Sequence, residues 1–295
     1  MAVIQAEITV ADRRSATWVG RIRRHVRRHP TIVIGSVLLL IMVVMAVFAP
    51  WLGTGDPQAL SPIQRLKWPS PAHWFGTDML GRDVYSRTVY GTRVSLIVGI
   101  SVALLSTALG LAIGVVAGFT RWVDAVVMRI MDGLMSIPEI LVAIALMALT
   151  RASMQNVIFA ITVAQVPRVT RLVRGIVLTL REQPYVEAAV ASGTGFVRIL
   201  WRHIVPNTLA PLLVQGTFIA ASAMITEAIL SFLGAGTPPQ IPSWGNIMAE
   251  GRVLFQVAYY IVLFPGIMLS LTVLAINLLG DGLRDALDPR LARRL

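Results

Sequence analysis

The sequence predicts an all-α polytopic membrane protein with six transmembrane helices and an external lobe of loops between the first two. The 295 residues are 56% hydrophobic and 14% charged, with a mean hydropathy of +0.72, whereas an ordinary soluble domain is roughly 25% charged. Apolar stretches long enough to cross a hydrocarbon core of about 30 Å recur along the chain. There is no cysteine, which excludes disulfides and cysteine-based metal sites.

The first helix is predicted over residues 31–49, which hold no charged side chain. A cleaved signal peptide is the rival interpretation, because basic residues precede this apolar stretch. We reject it, since the preceding basic region would be unusually long and Pro50 follows Ala49 where a cleavage site would be needed. The first helix is therefore expected to remain as an anchor.

Five further helices follow from the remaining apolar stretches. The second and sixth hold no charged residue, the third contains Pro138 and Glu139, and the fourth stops before Arg168. The fifth is apolar except for Glu227. In chain order the predicted ranges are 94–120, 133–150, 152–167, 208–233 and 253–280.

Gly110, Gly114 and Gly118 lie in the second predicted helix at four-residue spacing. Residues at this spacing share one helical face, so the three glycines present a strip without side chains. Such a strip favours close approach of a neighbouring helix over a role in a pore.

The distribution of basic residues decides the orientation of the chain. With a cytoplasmic N-terminus, 19 of the 26 Lys and Arg residues fall on the cytoplasmic side, which obeys the positive-inside rule. Both termini are thus predicted to be cytoplasmic at the plasma (inner) membrane. Topology and anionic lipid, rather than a nucleic-acid partner, account for the net charge of +11.

The same reading divides the chain into four regions. The external lobe, residues 50–93, is too long for a simple turn and dense in Pro, Gly and Trp. The predicted regions are a basic cytoplasmic segment at 1–30, the first helix with the external lobe at 31–93, a five-helix core at 94–280 with a cytoplasmic coupling loop at 180–207, and a cytoplasmic tail at 281–295.

Residues 187–207, EAAVASGTGFVRILWRHIVPN, form a polar, glycine-interrupted segment between two apolar stretches. Ala188 and Ala189 follow Glu187 and would give a short helix a thin profile that can enter a cleft in a partner. Gly193 permits a left-handed turn, and Pro206 is expected in the first turn of the next helix.

Arg198, Arg202 and His203 add polarity to one side of this segment. On spacing alone, a docking site for a partner protein and an ordinary solvated loop that only fixes topology both remain open. Asp132, Ser136, Pro138 and Glu139 mark the cytoplasmic start of the third helix, where simple helix-start chemistry is favoured over a gating role.

The 187–207 segment resembles the signature loop of ABC importer permeases. In that family Glu-Ala-Ala is followed by Gly and then by Ile-x-Leu-Pro, and the matching positions here are Glu187, Ala188, Ala189, Gly193 and Pro206. His203 and Val205 depart from the general pattern. The run 203–207, HIVPN, instead resembles the form found in dipeptide and oligopeptide permeases.

Three more stretches resemble the C-type subunit of these peptide permeases. FGTD at 75–78 with LGRD at 80–83 is similar to its external segment before the second helix. LSFLG at 230–234 with PSWG at 242–245 is similar to its outer loop between helices five and six. DGLRD at 281–285 with DPR at 288–290 is similar to its tail.

The resemblance implies a type I ABC importer permease fold and a set of partners. These are a second permease in a heterodimer, two ABC ATPase subunits and an external substrate-binding protein, which together import dipeptides or oligopeptides. The chain itself has no phosphate-binding G-x-x-x-x-G-K-[ST] motif. It is thus expected to be no enzyme and to hold no catalytic residue, metal or cofactor, with ATP and Mg on the ATPase subunits. Nickel or another small solute remains an alternative substrate.

Glu227 is an ionisable residue well inside the fifth helix and is, with Thr226 and Ser231, a candidate for lining the translocation path. A structural role, with its carboxyl group bonded to neighbouring groups, is the favoured alternative. A proton-coupled secondary transporter that uses Glu227 is a second hypothesis, although such carriers often show repeated halves. An intramembrane enzyme is disfavoured, since neither H-E-x-x-H nor G-x-S-x-G occurs.

Overall fold

A computed structural model describes residues 30–287, and its regular structure is helical apart from two isolated β-bridges. The predicted segment 1–30, apart from Pro30, and the tail from residue 288 lie outside the described residues. In chain order the α-helices are α1 Pro30–Val47, α2 Val84–Phe119, α3 Arg121–Met135, α4 Glu139–Ala148, α5 Met154–Arg181, α6 Pro184–Ala191, α7 Phe196–Ile199, α8 Val205–Phe232, α9 Trp244–Gly251 and α10 Tyr260–Leu287.

Helix α1 agrees with the predicted first helix, and α2 starts earlier than expected. The N-terminus of α2 is capped by Asp83, whose carboxylate accepts a hydrogen bond from the Ser86 N–H at 2.7 Å. Residues 84–93, assigned to the external lobe, are therefore helical. An uncharged stretch was the wrong criterion here, because Arg87 is 1% exposed and pairs with Asp78 before the helix and with Glu250 of α9.

The glycine strip of α2 packs against α5, as the four-residue spacing predicts. A Cβ added at Gly114 would lie 2.8 Å from Cβ of Val173, and one added at Gly118 would lie 2.7 Å from Cβ of Val177. These distances leave no room for a side chain, so the prediction of close helix packing is confirmed.

The prediction of one helix over residues 133–150 is wrong. The chain bends by 89° between α3 and α4. Pro138 disfavours helical backbone at Ile137 and lacks the N–H that would continue the hydrogen-bond ladder, so a new helix begins at Glu139. Helix α4 has 10 residues and is thus about 15 Å long, too short to cross a membrane alone.

Two other helices extend past their predicted ends. Helix α5 runs through Pro167 and Arg168 to Arg181 instead of stopping at residue 167. Helix α10 starts at Tyr260 rather than 253 and includes Arg284, which had been assigned to the tail. Charged side chains had marked the expected ends, but a helix that leaves the membrane need not end there.

Four helical stretches of the described residues are long and apolar enough to span a membrane, namely α1, α2, residues 196–232 and α10. The bent pair α3 and α4 is a fifth candidate if the two helices form one span. Helix α5 has 28 residues but carries several arginines, so its composition does not mark it as a span. The protein is thus membrane-embedded, and residues 30–287 form a helical structure with up to five spans by these criteria.

The main hydrophobic core lies between α2, α5 and α8, with α4 packed against it. Helix α1 packs against α10 at one side of this core, and α10 in turn packs against α8. Large apolar side chains such as Leu40, Leu104 and Leu213 are more than half exposed, as expected for faces that meet lipid or partner helices. The two ends of this bundle, where α2 begins and where α8 begins, carry the polar sites.

Candidate functional site

The candidate site lies at the end of the bundle where α5 ends and α8 begins, and we call residues 184–206 the coupling surface. Pro184 occupies the first turn of α6, where its missing N–H is not needed. Glu187 lies in the same first turn, where its negative charge is favourable beside the helix N-terminus. Glu187 and Ala188 are exposed, Ala189 is half-buried, and Val186 packs into the core.

Gly193 ends α6 in the conformation that the sequence predicts. Its φ is +76°, a left-handed value that favours glycine. The Thr194 N–H then reaches back to the Ala189 carbonyl at 3.0 Å, and the Gly193 N–H donates to the Val190 carbonyl at 2.9 Å. These bonds satisfy the last carbonyls of the helix and turn the chain towards α7. The predicted left-handed turn is confirmed.

Pro206 does not begin an independent helix, which corrects the expected start at residue 208. Helix α7 continues through a π-helical turn at Leu200–Ile204 directly into α8. The Val205 N–H bonds to the Leu200 carbonyl across this wider turn. Pro206 follows in the first turn of α8, where the irregular backbone accommodates its missing N–H.

The coupling surface exposes apolar as well as charged side chains. Val197 is 64% exposed and Trp201 67%, and both Arg198 and Arg202 are exposed beside them. His203 is half-buried, with its ring 5.8 Å from that of Tyr185. Sequence reasoning named the basic residues but missed the apolar ones, although Phe196, Val197 and Trp201 stand among them in the printed sequence.

The reverse side of the coupling surface is anchored in the core of the bundle. Val186, Ile199 and Ile204 are at most 4% exposed, and they belong to the same cluster as Val173 and Val177 of α5. The inner side of the coupling surface is thus held against the long helices by direct packing.

The three candidates for the translocation path do not form one site. Glu227 is fully buried, and its Oε1 accepts a hydrogen bond from Ser231 Oγ at 2.8 Å. Thr237 also lies 3.5 Å from this oxygen, and Asn246 binds Thr237, so the carboxyl group ties the end of α8 to the loop before α9. Thr226 faces away from this network, with its hydroxyl 3.5 Å from Glu139.

A second polar group lies where α4, α5 and α8 meet, and we call it the intramembrane polar cluster. Gln165 Nε2 lies 3.1 Å from Glu139 Oε2 and 3.2 Å from Ser222 Oγ. Arg168 approaches the same carboxylate at 3.6 Å. Sequence reasoning placed Glu139 at a helix start but missed Gln165 and Ser222, since no local pattern brings three helices together. The cluster consists of Glu139, Gln165, Arg168, Ser222 and Thr226.

No group of three or more His, Cys, Asp and Glu side chains in residues 30–287 is arranged to hold a metal ion.

Comparisons with known proteins match this chain to two family models and to several named relatives. The family described as "Binding-protein-dependent transport system inner membrane component" matches residues 110–293, and that described as "N-terminal TM domain of oligopeptide transport permease C" matches residues 17–69. The chain is 52% identical over 271 residues to a probable peptide ABC transporter permease protein of Sinorhizobium fredii, covering 92% of this chain and 93% of the relative.

Two further relatives bear other names. A dipeptide transport system permease protein of Alkalihalophilus pseudofirmus is 40% identical over 269 residues, with 91% of this chain and 88% of the relative covered. A glutathione transport system permease protein of Pectobacterium atrosepticum is 41% identical over 276 residues, with 93% and 91% covered.

Proposed function

We propose a role in peptide import for this chain, from the premise that it belongs to the family of binding-protein-dependent transport system inner membrane components. It is the membrane permease component of an ABC transporter. In this proposal it forms half of the path through which dipeptides or oligopeptides cross the membrane. The chain does not hydrolyse ATP itself and is moved by ATPase subunits that bind its coupling surface.

The observation that carries this proposal is the two-sided nature of the coupling surface. Its outer side combines exposed apolar residues with cations around the Gly193 turn, and its inner side is packed into the core of the bundle. An exposed apolar patch with a charged rim is typical of a protein interface. An ordinary solvated loop needs neither Trp201 at 67% exposure nor Val186 at 2%.

Family membership implies a partner permease, an ATPase and a substrate-binding protein in general terms. More specifically, we propose a heterodimer of two permeases, two ABC ATPases that hold ATP and Mg, and a binding protein on the external side. The chain would cross the inner membrane six times, with α3 and α4 as one broken span, α5 as another, and residues 48–83 in an external lobe. Both termini would then be cytoplasmic, in agreement with the positive-inside rule.

Peptide is proposed as the substrate because the relatives named above are called peptide, dipeptide and glutathione transport permeases. Glutathione is itself a small peptide, so the three names share an amide-linked, zwitterionic solute. Nickel or another small solute, the alternative that the sequence left open, is not named by these relatives.

The test is co-purification of the assembled transporter from cells that express this chain with its neighbouring genes. Mass spectrometry of the detergent-purified complex should recover a second permease and ATPases with this chain. Replacing Glu187 by Arg or Trp201 by Asp should reduce ATPase recovery about tenfold, because central contacts dominate the stability of an interface. Asp285→Ala is the control, since Asp285 is an exposed carboxylate elsewhere on α10.

Two results would contradict the proposal. Unchanged ATPase recovery with both coupling-surface variants would show that the ATPases dock elsewhere. Recovery of this chain alone, with proton-dependent uptake after reconstitution, would favour a secondary transporter and would make Glu227 the residue to study.

A further inference from the structure

The intramembrane polar cluster lies near the middle of the membrane. If its side chains pointed out of the bundle at this depth, they would contact lipid. Gln165 is about 17 Å along α5 from Met154, at about 1.5 Å per residue, and so lies near the middle of a hydrocarbon core of about 30 Å. In the isolated chain the Glu139 side chain is 33% exposed and that of Arg168 is 54% exposed. Charged groups at this depth face protein or water rather than lipid. The face of α4 and α5 that bears them therefore borders an aqueous path or a partner subunit.

Three ion pairs connect α5 to the bent pair α3 and α4. Arg171 pairs with Asp132 at 2.5 Å, and Arg174 forms a bidentate pair with Asp124 that includes a 2.6 Å contact. The pair deepest in the membrane, Arg168 with Glu139, is much looser, with 3.6 Å between the closest nitrogen and oxygen. A contact of 3.6 Å is too long for a hydrogen bond. Of the three ion pairs, Arg168 and Glu139 therefore interact most weakly with each other.

Gln165 provides an independent sign that the cluster is incomplete. Its side-chain amide is 1% exposed, and Nε2 is fully used in donating to Glu139 and Ser222. Its Oε1 has no hydrogen-bond partner among residues 30–287. A buried carbonyl oxygen without a donor is unfavourable, and such groups are rare in folded proteins. Because this oxygen is itself buried, Gln165 holds the Glu139 carboxylate in place rather than facing open space.

A cleft of about 230 Å³ opens beside these groups, at the bend between α3 and α4. Glu139 and Arg168 both line it, and its remaining walls are mainly apolar, with Ile137, Pro138 and Val142 among them. A negative and a positive group on the walls of one small cleft are complementary to a zwitterion.

We propose that this cleft is a subsite of the translocation path for small zwitterionic solutes, an inference that rests on the proposed function. The ammonium group of the solute binds Glu139 and its carboxylate binds Arg168, which both line the cleft. Gln165 does not line the cleft and acts as a positioning residue, since its Nε2 donates to the Glu139 carboxylate. Without a solute, Arg168 and Glu139 lie 3.6 Å apart and offset part of each other's charge. This lowers the cost of holding the two charges inside the membrane.

The test uses the whole transporter with its binding protein, reconstituted in proteoliposomes with ATP inside, and radiolabelled dialanine as the probe. Glu139→Gln removes the negative charge and keeps the shape, and Arg168→Met removes the positive charge from the same cleft. Each should lower dialanine uptake per ATP hydrolysed about tenfold, the effect of one lost charge-assisted hydrogen bond. The recovery of the assembled complex should stay at the wild-type value, which shows that the variants still fold.

Asp132→Asn is the matched control, because it breaks the neighbouring ion pair outside the cleft and should leave uptake within about twofold, as surface pairs contribute little. Wild-type uptake per ATP in Glu139→Gln, or an equal loss in Asp132→Asn, would overturn the subsite. A wild-type complex that shows no ATP-dependent dialanine uptake would instead overturn the proposed function, and the subsite with it.

Discussion

The two ends of the helix bundle are built in opposite ways. At the end where α2 begins, Asp78 and Arg87 are each 1% exposed, and Arg87 also binds Glu250 at 2.6 Å. Tyr260 donates its hydroxyl to the Lys67 carbonyl at 3.0 Å, which ties the loop before α2 to α10. At the coupling surface, by contrast, charged and aromatic side chains are exposed and form no ion pairs within the described residues.

This difference shows where the chain completes its own structure and where it leaves contacts for another molecule. The end where α2 begins is packed like the interior of a soluble domain. Trp244 is fully buried there, and its Nε1 donates to the Thr88 carbonyl at 3.0 Å. This end is therefore expected to behave as one rigid body. The coupling surface keeps only its inner side packed, so its exposed groups are available to a partner that moves it.

The largest expected effect follows from breaking the buried charge network at the end where α2 begins. Asp78 and Glu250 pair with both Arg82 and Arg87. Arg87→Met leaves Arg82 as their one cation among the described residues, so one negative charge of the network loses its partner, which costs about 3–5 kcal/mol. We expect the apparent Tm of the purified protein in detergent, followed by tryptophan fluorescence, to fall by roughly 10 °C. Arg65→Met is the control, since Arg65 is exposed and takes part in no ion pair of the described residues. Equal shifts in both variants would show that this end is not held by the network.

A smaller loss of stability is expected along the glycine strip of α2, the helix that connects the two ends of the bundle. Gly114→Val places methyl groups where a single Cβ would already lie 2.7 Å from the Thr170 carbonyl oxygen. Overpacking of this kind costs about 1–3 kcal/mol. The measurement is the apparent Tm, with Gly175→Val as the matched control, because an added Cβ at Gly175 meets nothing within 4 Å. A control that is as unstable as Gly114→Val would mean that the loss comes from helix propensity alone.

The smallest effect on stability is expected at the coupling surface, where strain rather than packing is at issue. An added Cβ at Gly193 meets nothing within 4 Å, but its φ of +76° costs a β-branched residue about 1–2 kcal/mol. Gly193→Val should therefore lower the apparent Tm by a few degrees and Gly193→Asn by less, since Asn tolerates this conformation. Gly195→Ala is the control, because Gly195 has an ordinary φ of −63°. Equal effects of Val and Asn would show that the turn relaxes in solution.

The turn at Gly193 in the coupling surface was predicted correctly because its constraints are local. Only glycine adopts the Gly193 conformation without strain, and Pro184 and Pro206 both fall in first turns of helices, as their missing N–H requires. The continuous helix through the π-turn was not predicted, since a proline normally indicates a boundary. The exposed apolar residues were also missed, because exposure depends on which neighbours pack against a helix.

The sequence by itself determined the membrane class, the helical fold, the approximate positions of most helices and the glycine contact between α2 and α5. Composition and hydrophobic length suffice for these, because lipid imposes the same length and polarity on every spanning helix. The tertiary structure alone decided how the charged residues are used. Arg87 continues a helix because Glu250, 163 positions away, neutralises it, and Glu139, Gln165 and Ser222 meet because three helices converge around an 89° bend. Such pairings depend on long-range packing, and no local pattern in the chain specifies them.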